Sequence, residues 1–464
     1  MRVAYASPLP PATSGIADYA AELVPALAGA GVELELFFEG RAAPPPPLGA
    51  DFRCRPVREL AGAAADFDVV LYHLGNSAPH HSGILDALLA TPGGVVLHEF
   101  MLHHLVRERT LVAGDPRAYV EEMRYCAGET GRRAAQRLLD SHYPVDVWSF
   151  PLFERVVDRS RAVLVHSEFA RRRVLASRPA ARVETVPFPV ALAGLAPATP
   201  AARAAARAEL ALPADALVVA SFGFVTPQKR LEPALAAFAR LRRQRPDALF
   251  LIAGEVSPHY DLDALLRERG GEGVVVTGRL PLERFHRAMA AADFAVNLRH
   301  PTGGETSASL LRLLALGVPT IVTRAGAFAE LPAGTVAAVA VDELEEALLE
   351  RLFAALAGDP GLRSAMGEAA RRYVERVHAL PRAVAVWLER LAALAATPRE
   401  VPDVAPPLAP WDGADPRVAL AASVGADLAD LGIGEGDAEA LGELAGALAE
   451  LDWAPRPRRP DGRR

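Results

Sequence analysis

The sequence predicts an α/β protein built from two doubly wound parallel domains that face each other across a cleft. Three observations carry this. Short apolar runs alternate with helical periods from the N-terminus to Arg324; the alternation breaks once, at an Ala/Pro-rich stretch after Pro189, and then resumes; and 464 residues exceed what one ordinary core organises.

In the first half the strand-like runs are VAYAS (3–7), ELELFF (33–38), VVLYHL (69–74), VVLH (95–98), AVLVHS (162–167) and VETVPFP (183–189). Helical periods fall near 16–30, 82–90 and 116–139, and another begins at Glu168. Apolar strands that scarcely alternate belong to parallel sheets covered on both faces. The second half repeats the scheme with runs at 216–223, 248–255, 274–280, 294–299 and 319–324, interleaved with helices at 231–244, 261–269, 282–291 and 307–316. Helices dominate from 342 to 396. The expected domains are residues 1–192 and 193–378, then a helix at 379–397 crossing back to the first domain. A Pro-rich linker, an acidic helical appendage and a disordered tail fill 398–464.

Composition narrows the function. A formal charge of -7 and a pI near 6.0 exclude a general nucleic-acid binder, which needs a basic surface. No apolar run reaches the roughly 18–20 residues of a membrane-spanning helix. The opening MRVAYASPLPPATSG lacks the apolar middle of a secretion signal, so a cytoplasmic protein is expected. Cys54 and Cys126 have no disulfide or zinc spacing, and the histidines form no HExxH. Asp261 and Asp263 form a DxD, but they open a helix, where capping is the expected role. No metal is expected. Of 50 basic residues other than histidine, one is lysine, Lys229.

In open parallel sheets ligands sit beyond the carboxyl ends of the strands, so residues that follow strands are the candidates. After the first strand, SPLPPATSGIADY places Ser14 and Gly15 at a helix N-terminus, where backbone N–H groups favour anions. LGNSAPHH and LHEFMLHHL place Asn76, His80 and His98 at strand ends, able to reach a bound sugar or acceptor; His103 and His104 are read as structural. In the second domain SFGFVTPQKRLEP puts Lys229 just before a helix, a compact cation suited to a diphosphate leaving group. NLRHPTGGETSASLL supplies the bare backbone of Gly303 and Gly304, the carboxylate of Glu305 for sugar hydroxyls, and a helix cap at Thr306 or Ser307.

Together SGIADYAAEL, LGNSAPH, VVLHEFMLHHL, VHSEFARRRV, FGFVTPQKRLEPALAAF, LIAGE, VVVTGRL and PTGGETSASLLRLLALGVPTIVTRAGAFAELP resemble the retaining GT-B glycosyltransferases of family 4, also called group 1, over about residues 1–395. The resemblance implies two Rossmann-like domains and a nucleotide-diphosphate sugar bound mainly by the second. It implies an acceptor on the first, transfer with retained configuration and no metal. By that likeness Lys229 holds the diphosphate, His98 contacts the transferred sugar and Gly15 lies against the phosphates. His98, Lys229 and Glu305 are the catalytic candidates. Gly15, Lys229, Gly303, Gly304, Glu305, Thr306, Ser307 and Arg312 form the donor set, and Ser14, Asn76 and His80 the acceptor side. The chain departs from the family twice: Phe224 occupies the slot of an arginine that normally accompanies the lysine, and Arg312 that of the signature's second glutamate. Arg312 is assigned the charge of the missing arginine. The expected partners are a nucleotide-sugar donor and a glycan or lipid-linked glycan, the latter compatible with the inner face of a membrane and with envelope polysaccharide synthesis. Epimerase or phosphorylase chemistry on the same fold, and an inactive nucleotide-sugar-binding module, remain open.

Overall fold

A computed structural model describes residues 1–39, 51–141, 143–193 and 197–398, with isolated positions 48, 195, 428, 437, 438 and 441–443. The expected appendage and tail lie, those few positions apart, outside the described residues.

The first sheet comprises β1 (Arg2–Ala6), β2 (Glu33–Phe38), β3 (Arg53–Pro56), β4 (Val69–Leu74), β5 (Gly94–Leu97), β6 (Ala162–Val165) and β7 (Val183–Thr185), ordered β3-β2-β1-β4-β5-β6-β7. The second comprises β8 (Val218–Phe222), β9 (Leu249–Ala253), β10 (Val274–Gly278), β11 (Phe294–Asn297), β12 (Thr320–Thr323) and β13 (Ala337–Val339), ordered β10-β9-β8-β11-β12-β13. Every pairing is parallel. Strands such as β4, buried at all six positions, are sandwiched between helices as their unbroken apolar runs require. In each sheet the order reverses beside the first strand, which opens a crevice at the carboxyl ends of β1 and β4 and of β8 and β11. This is the two-domain GT-B architecture expected from the sequence.

Two edge strands, β3 and β13, are additional to those expected from the sequence. β3 is RCRP, part-exposed and paired only with β2, and β13 is AAV, paired only with β12. An edge strand such as β3 tolerates charge and proline and needs no apolar run to announce it, whereas β13 lies within the apolar run VAAVAV (336–341), whose alanines favour a strand only weakly. A third difference concerns residues 116–139, expected as one helix. The helical stretch Pro116–Ser141 breaks at Ala127 and Gly128, where Gly128 adopts φ 57, a left-handed conformation that glycine supplies without strain. The broken stretch builds a small core of its own from Val106, Tyr119, Met123, Cys126, Ala135 and Leu152. This insertion lies between β5 and β6, beyond the carboxyl end of β5.

The helix Leu380–Ala395 leaves the second domain and packs on the first. Trp387 is fully buried and stacks on His73, ring centroids 6.3 Å apart. Arg161 donates to the carbonyls of Leu394 and Pro398, both at 2.9 Å. At the crossover Leu380 N donates to Val190 O at 3.0 Å, and Val190 N to His378 O at 2.8 Å.

Candidate active site between the two domains

On the second domain the wall begins where β8 ends. The chain passes through Gly223 into a short 3-10 turn, Pro227–Lys229, and then through left-handed Arg230 (φ 49), which an ion pair with Glu345 holds, into the helix Leu231–Gln244. This folds Lys229 inward, 6% exposed, so that Nζ donates to Phe222 O at 2.9 Å and to Asn297 Oδ1 at 3.2 Å. Asn297 Nδ2 donates to Ser307 Oγ at 2.9 Å, and Ser307 Oγ caps Leu310 N at 3.2 Å. A hydrogen-bonded chain therefore joins the lysine to the N-terminus of the helix Ala308–Leu316. An ammonium has three donors, and these bonds engage two. Burial, with a smaller contribution from Arg299, pulls Lys229 down to about 7.

The PTGGETS loop lies beside this pair. Glu305 folds onto its own loop: it is ion-paired with Arg299, and Oε2 accepts from Gly303 N at 2.8 Å and Thr302 Oγ1 at 3.1 Å. In this state its carboxylate organises the loop. Thr306 Oγ1 and Arg299 Nε are buried without a partner, and buried polar atoms of this kind ordinarily find one. Asp261 caps Ala264 N at 2.8 Å, the role expected for it. Among the described residues no group of three or more His, Cys, Asp or Glu could hold a metal ion.

The first-domain residues are placed differently from one another. Ser14 Oγ accepts from Ile16 N at 3.2 Å at the start of the helix Gly15–Gly29, and above Gly15 a Cβ would meet open space. Asn76 is occupied structurally, its Oδ1 accepting from Leu105 N at 3.0 Å and its N–H bonding Glu99 Oε1 at 3.0 Å. His80 sits part-buried in the first turn of the helix Ala78–Ala90. His98 turns its ring into the domain: Nε2 pairs with His73 Nδ1 at 3.0 Å, and the ring packs edge-on to Tyr19 at 4.9 Å and 5.2 Å from His166. Tyr5, Phe188 and Trp387 complete this aromatic nest. Burial holds His73 and His98 well below the ordinary histidine range and His166 at about 4, so the imidazoles are neutral. Nδ1 is the nitrogen of His98 left unengaged.

The two walls touch. Phe100 N donates to Gly303 O at 2.8 Å, and Glu168 N to Glu330 Oε2 at 3.0 Å. Arg312 forms an ion pair with Glu22 of the helix Gly15–Gly29. Arg312, expected against the donor's phosphates, instead faces a carboxylate of the opposing domain, and the pair is largely buried. Phe224 is 52% exposed. Two contributors were missed. Glu99 stands in LHEFM directly after His98, a visible signal, whereas Glu22 reads as an ordinary polar position of an amphipathic helix.

Comparison with known proteins follows the same division. Residues 202–373 match the family model described as glycosyl transferases group 1. A curated relative, the D-inositol 3-phosphate glycosyltransferase of Segniliparus rotundus, is 29% identical over 175 residues, 37% of this chain and 38% of that protein, so the match spans little more than a third of the relative's length. Among solved structures, sucrose-phosphate synthase from Thermosynechococcus elongatus superposes with TM-score 0.59 at 19% identity, covering 85% of this chain and 98% of that one. Anabaena HepE, in complex with UDP and glucose, gives TM-score 0.60 at 13% identity over 85% and 100%. WaaG, a glycosyltransferase involved in lipopolysaccharide biosynthesis, gives 0.55 at 15% over 84% and 99%. No helix among the described residues is long and apolar enough to cross a membrane.

Proposed function

From the premise that the chain carries a glycosyl transferases group 1 domain over residues 202–373 on a GT-B fold, we propose that it transfers a hexose from a nucleotide-diphosphate sugar to a glycan or lipid-linked glycan with retention. The observation that carries this reading is the sole lysine, buried beyond β8 and bonded through Asn297 and Ser307 to a helix N-terminus. Such a pairing of a cation with backbone donors suits a diphosphate. The likeness to HepE, whose structure holds UDP and glucose, supports the donor class.

In the proposed reaction the acceptor hydroxyl attacks the anomeric carbon from the face that the diphosphate leaves. The sugar–phosphate C–O bond breaks, and a phosphate oxygen takes the acceptor proton. Lys229 and the N-terminus of Ala308–Leu316 stabilise the charge that collects on the diphosphate, the role a metal ion fills in other transferases, and the reaction is proposed to need none. Phosphates rest against Gly15, where space is open, and the unengaged Nδ1 of His98 is the atom available to a sugar hydroxyl. Thr306 Oγ1, unpartnered, is offered to the same donor. A lipid-linked acceptor would bring the protein to the inner membrane face, and envelope polysaccharide is the product class in view.

A thermal-shift panel of UDP, GDP, ADP and TDP sugars, followed by incubation with and without glycan acceptors, tests this. The reading predicts that one donor raises the melting temperature and is consumed faster with acceptor. Consumption independent of acceptor points to an epimerase. Phe224 and the paired Arg312 favour one second reading, a donor-binding module without turnover, which binding with neither hydrolysis nor transfer would establish.

A further inference from the structure

Beside the Phe100–Gly303 contact between the two domains lies a carboxylic acid that the proposed chemistry does not use. Glu99 follows β5, half-buried, with Oε1 fixed by Asn76 N at 3.0 Å. Gly303 of the opposing loop lies against it so closely that a Cβ there would be 3.4 Å from Glu99 Oε2, 3.4 Å from Glu305 Oε2 and 2.9 Å from Met101 Cβ. A Cβ on Gly304 would strike the Phe100 ring at 2.5 Å. The Phe100 N to Gly303 O bond fixes the register between the two segments. Two carboxyl groups, one from each domain, thus flank a single glycine. Glu305 already accepts three hydrogen bonds within its loop, whereas Glu99 accepts one and has an oxygen left at the seam.

We propose that Glu99 is a positioning residue which reaches across from the first domain and holds the Gly303–Glu305 loop in register, so that the donor loop is complete only when the cleft is closed. Resting on the transferase reading for its kinetic consequence, the proposal has a structural consequence independent of it. Two carboxylates that flank one glycine in a half-buried seam cannot both be ionised without repulsion. Burial first, and the Glu305 carboxylate second, push Glu99 up to about 8. The other charged and titratable groups facing it are Arg299, which is paired with Glu305, and His81, whose Nε2 lies behind Gly75 and which burial holds near 3, neutral throughout the relevant range. Below about 8 the neutral acid sits against the loop. Above it the second charge pushes the walls apart.

The test uses the full chain, Glu99→Gln as an isostere of the neutral acid, and Glu99→Ala as a second variant. Small-angle scattering without ligand reads closure: at about pH 9 the wild type expands relative to pH 7, while both variants, lacking the second charge, do not. With the sugar nucleotide that stabilises the protein best in a panel of UDP-glucose, UDP-N-acetylglucosamine, GDP-mannose and ADP-glucose, the donor KM is measured at both pH values. About one unit above its titration point roughly a tenth of Glu99 remains neutral, so the ratio of wild-type to Glu99→Gln KM rises about tenfold between pH 7 and 9. The titration of Lys229 is common to both proteins and cancels in the ratio. Scattering that is identical for wild type and variants at pH 9, or a constant KM ratio, overturns the proposal. If no sugar nucleotide binds at any pH, the transferase reading fails and the scattering comparison still decides the role of Glu99.

Discussion

Lys229 shows how far one residue can be read before its surroundings are known. Its being the sole lysine, and its place after a strand, marked it in the sequence, but its depth and its bond to Asn297 could not be read there, because Asn297 is distant in sequence and belongs to a different strand. Removing it leaves Asn297 Oδ1 without a partner and Phe222 O with only the 3.4 Å bond from Ser309 Oγ, which costs about 1–3 kcal/mol. Lys229→Ala is therefore expected to fold, melting a few degrees lower, and to lose about 10²–10³-fold in transfer rate; unchanged turnover removes the residue from the mechanism. The charge itself is testable. The buried ammonium gives up its proton above about 7, and an adjacent diphosphate favours the charged form. Donor binding above that pH is expected to take up a proton, seen by calorimetry in buffers of different ionisation enthalpy, and to weaken as pH rises. Glu305 was legible as a loop carboxylate, but its engagement by Arg299, Thr302 and Gly303 N was not, since that depends on how the loop closes on itself.

At the scale of elements, the central strands were legible because burial on both faces writes itself as an apolar run. β3 was not, because an edge needs no such run, and β13 was not, because its alanines favour a strand only weakly. His98 marks another limit: the end of β5 was located correctly, yet the direction of the ring depends on His73, Tyr19, His166 and the returning Trp387, which four separate segments supply. The nest has a measurable signature. His166 titrates near 4 in the folded chain against an ordinary 6.5, and His73 and His98 are shifted the same way. Between these limits the unfolded chain binds more protons, so stability is greatest above about 6.5 and falls as pH drops towards 4. A melting temperature that stays level across that window contradicts the buried, neutral assignment. Trp387→Ala, which empties the contact between the returning helix and the first domain, is expected to cost about 3–5 kcal/mol.

For the whole molecule the decisive fact is that two domains of the same design meet at their carboxyl edges with the Arg312–Glu22 ion pair formed across the cleft. Two such domains could be inferred from the repeated alternation, but the contacts between them could not, because no local pattern links Glu22 to Arg312 or Glu99 to Gly303. Breaking the Glu22–Arg312 pair from either side is expected to loosen closure and weaken donor binding. A double-mutant cycle should return a coupling of about 1–3 kcal/mol, with the reversed pair Glu22→Arg and Arg312→Glu partly restoring affinity. Strict additivity would assign Arg312 elsewhere. The claim on which the rest depends is that this cleft holds a nucleotide-diphosphate sugar against Lys229. Because the chain has one lysine, protein grown with lysine labelled at the ε-carbon gives a single side-chain NMR signal, whose pH titration can be followed with and without a sugar nucleotide. A midpoint near 7 is expected in the free protein, moving upward when the sugar nucleotide binds. A signal that titrates identically in the presence of saturating sugar nucleotide would contradict it.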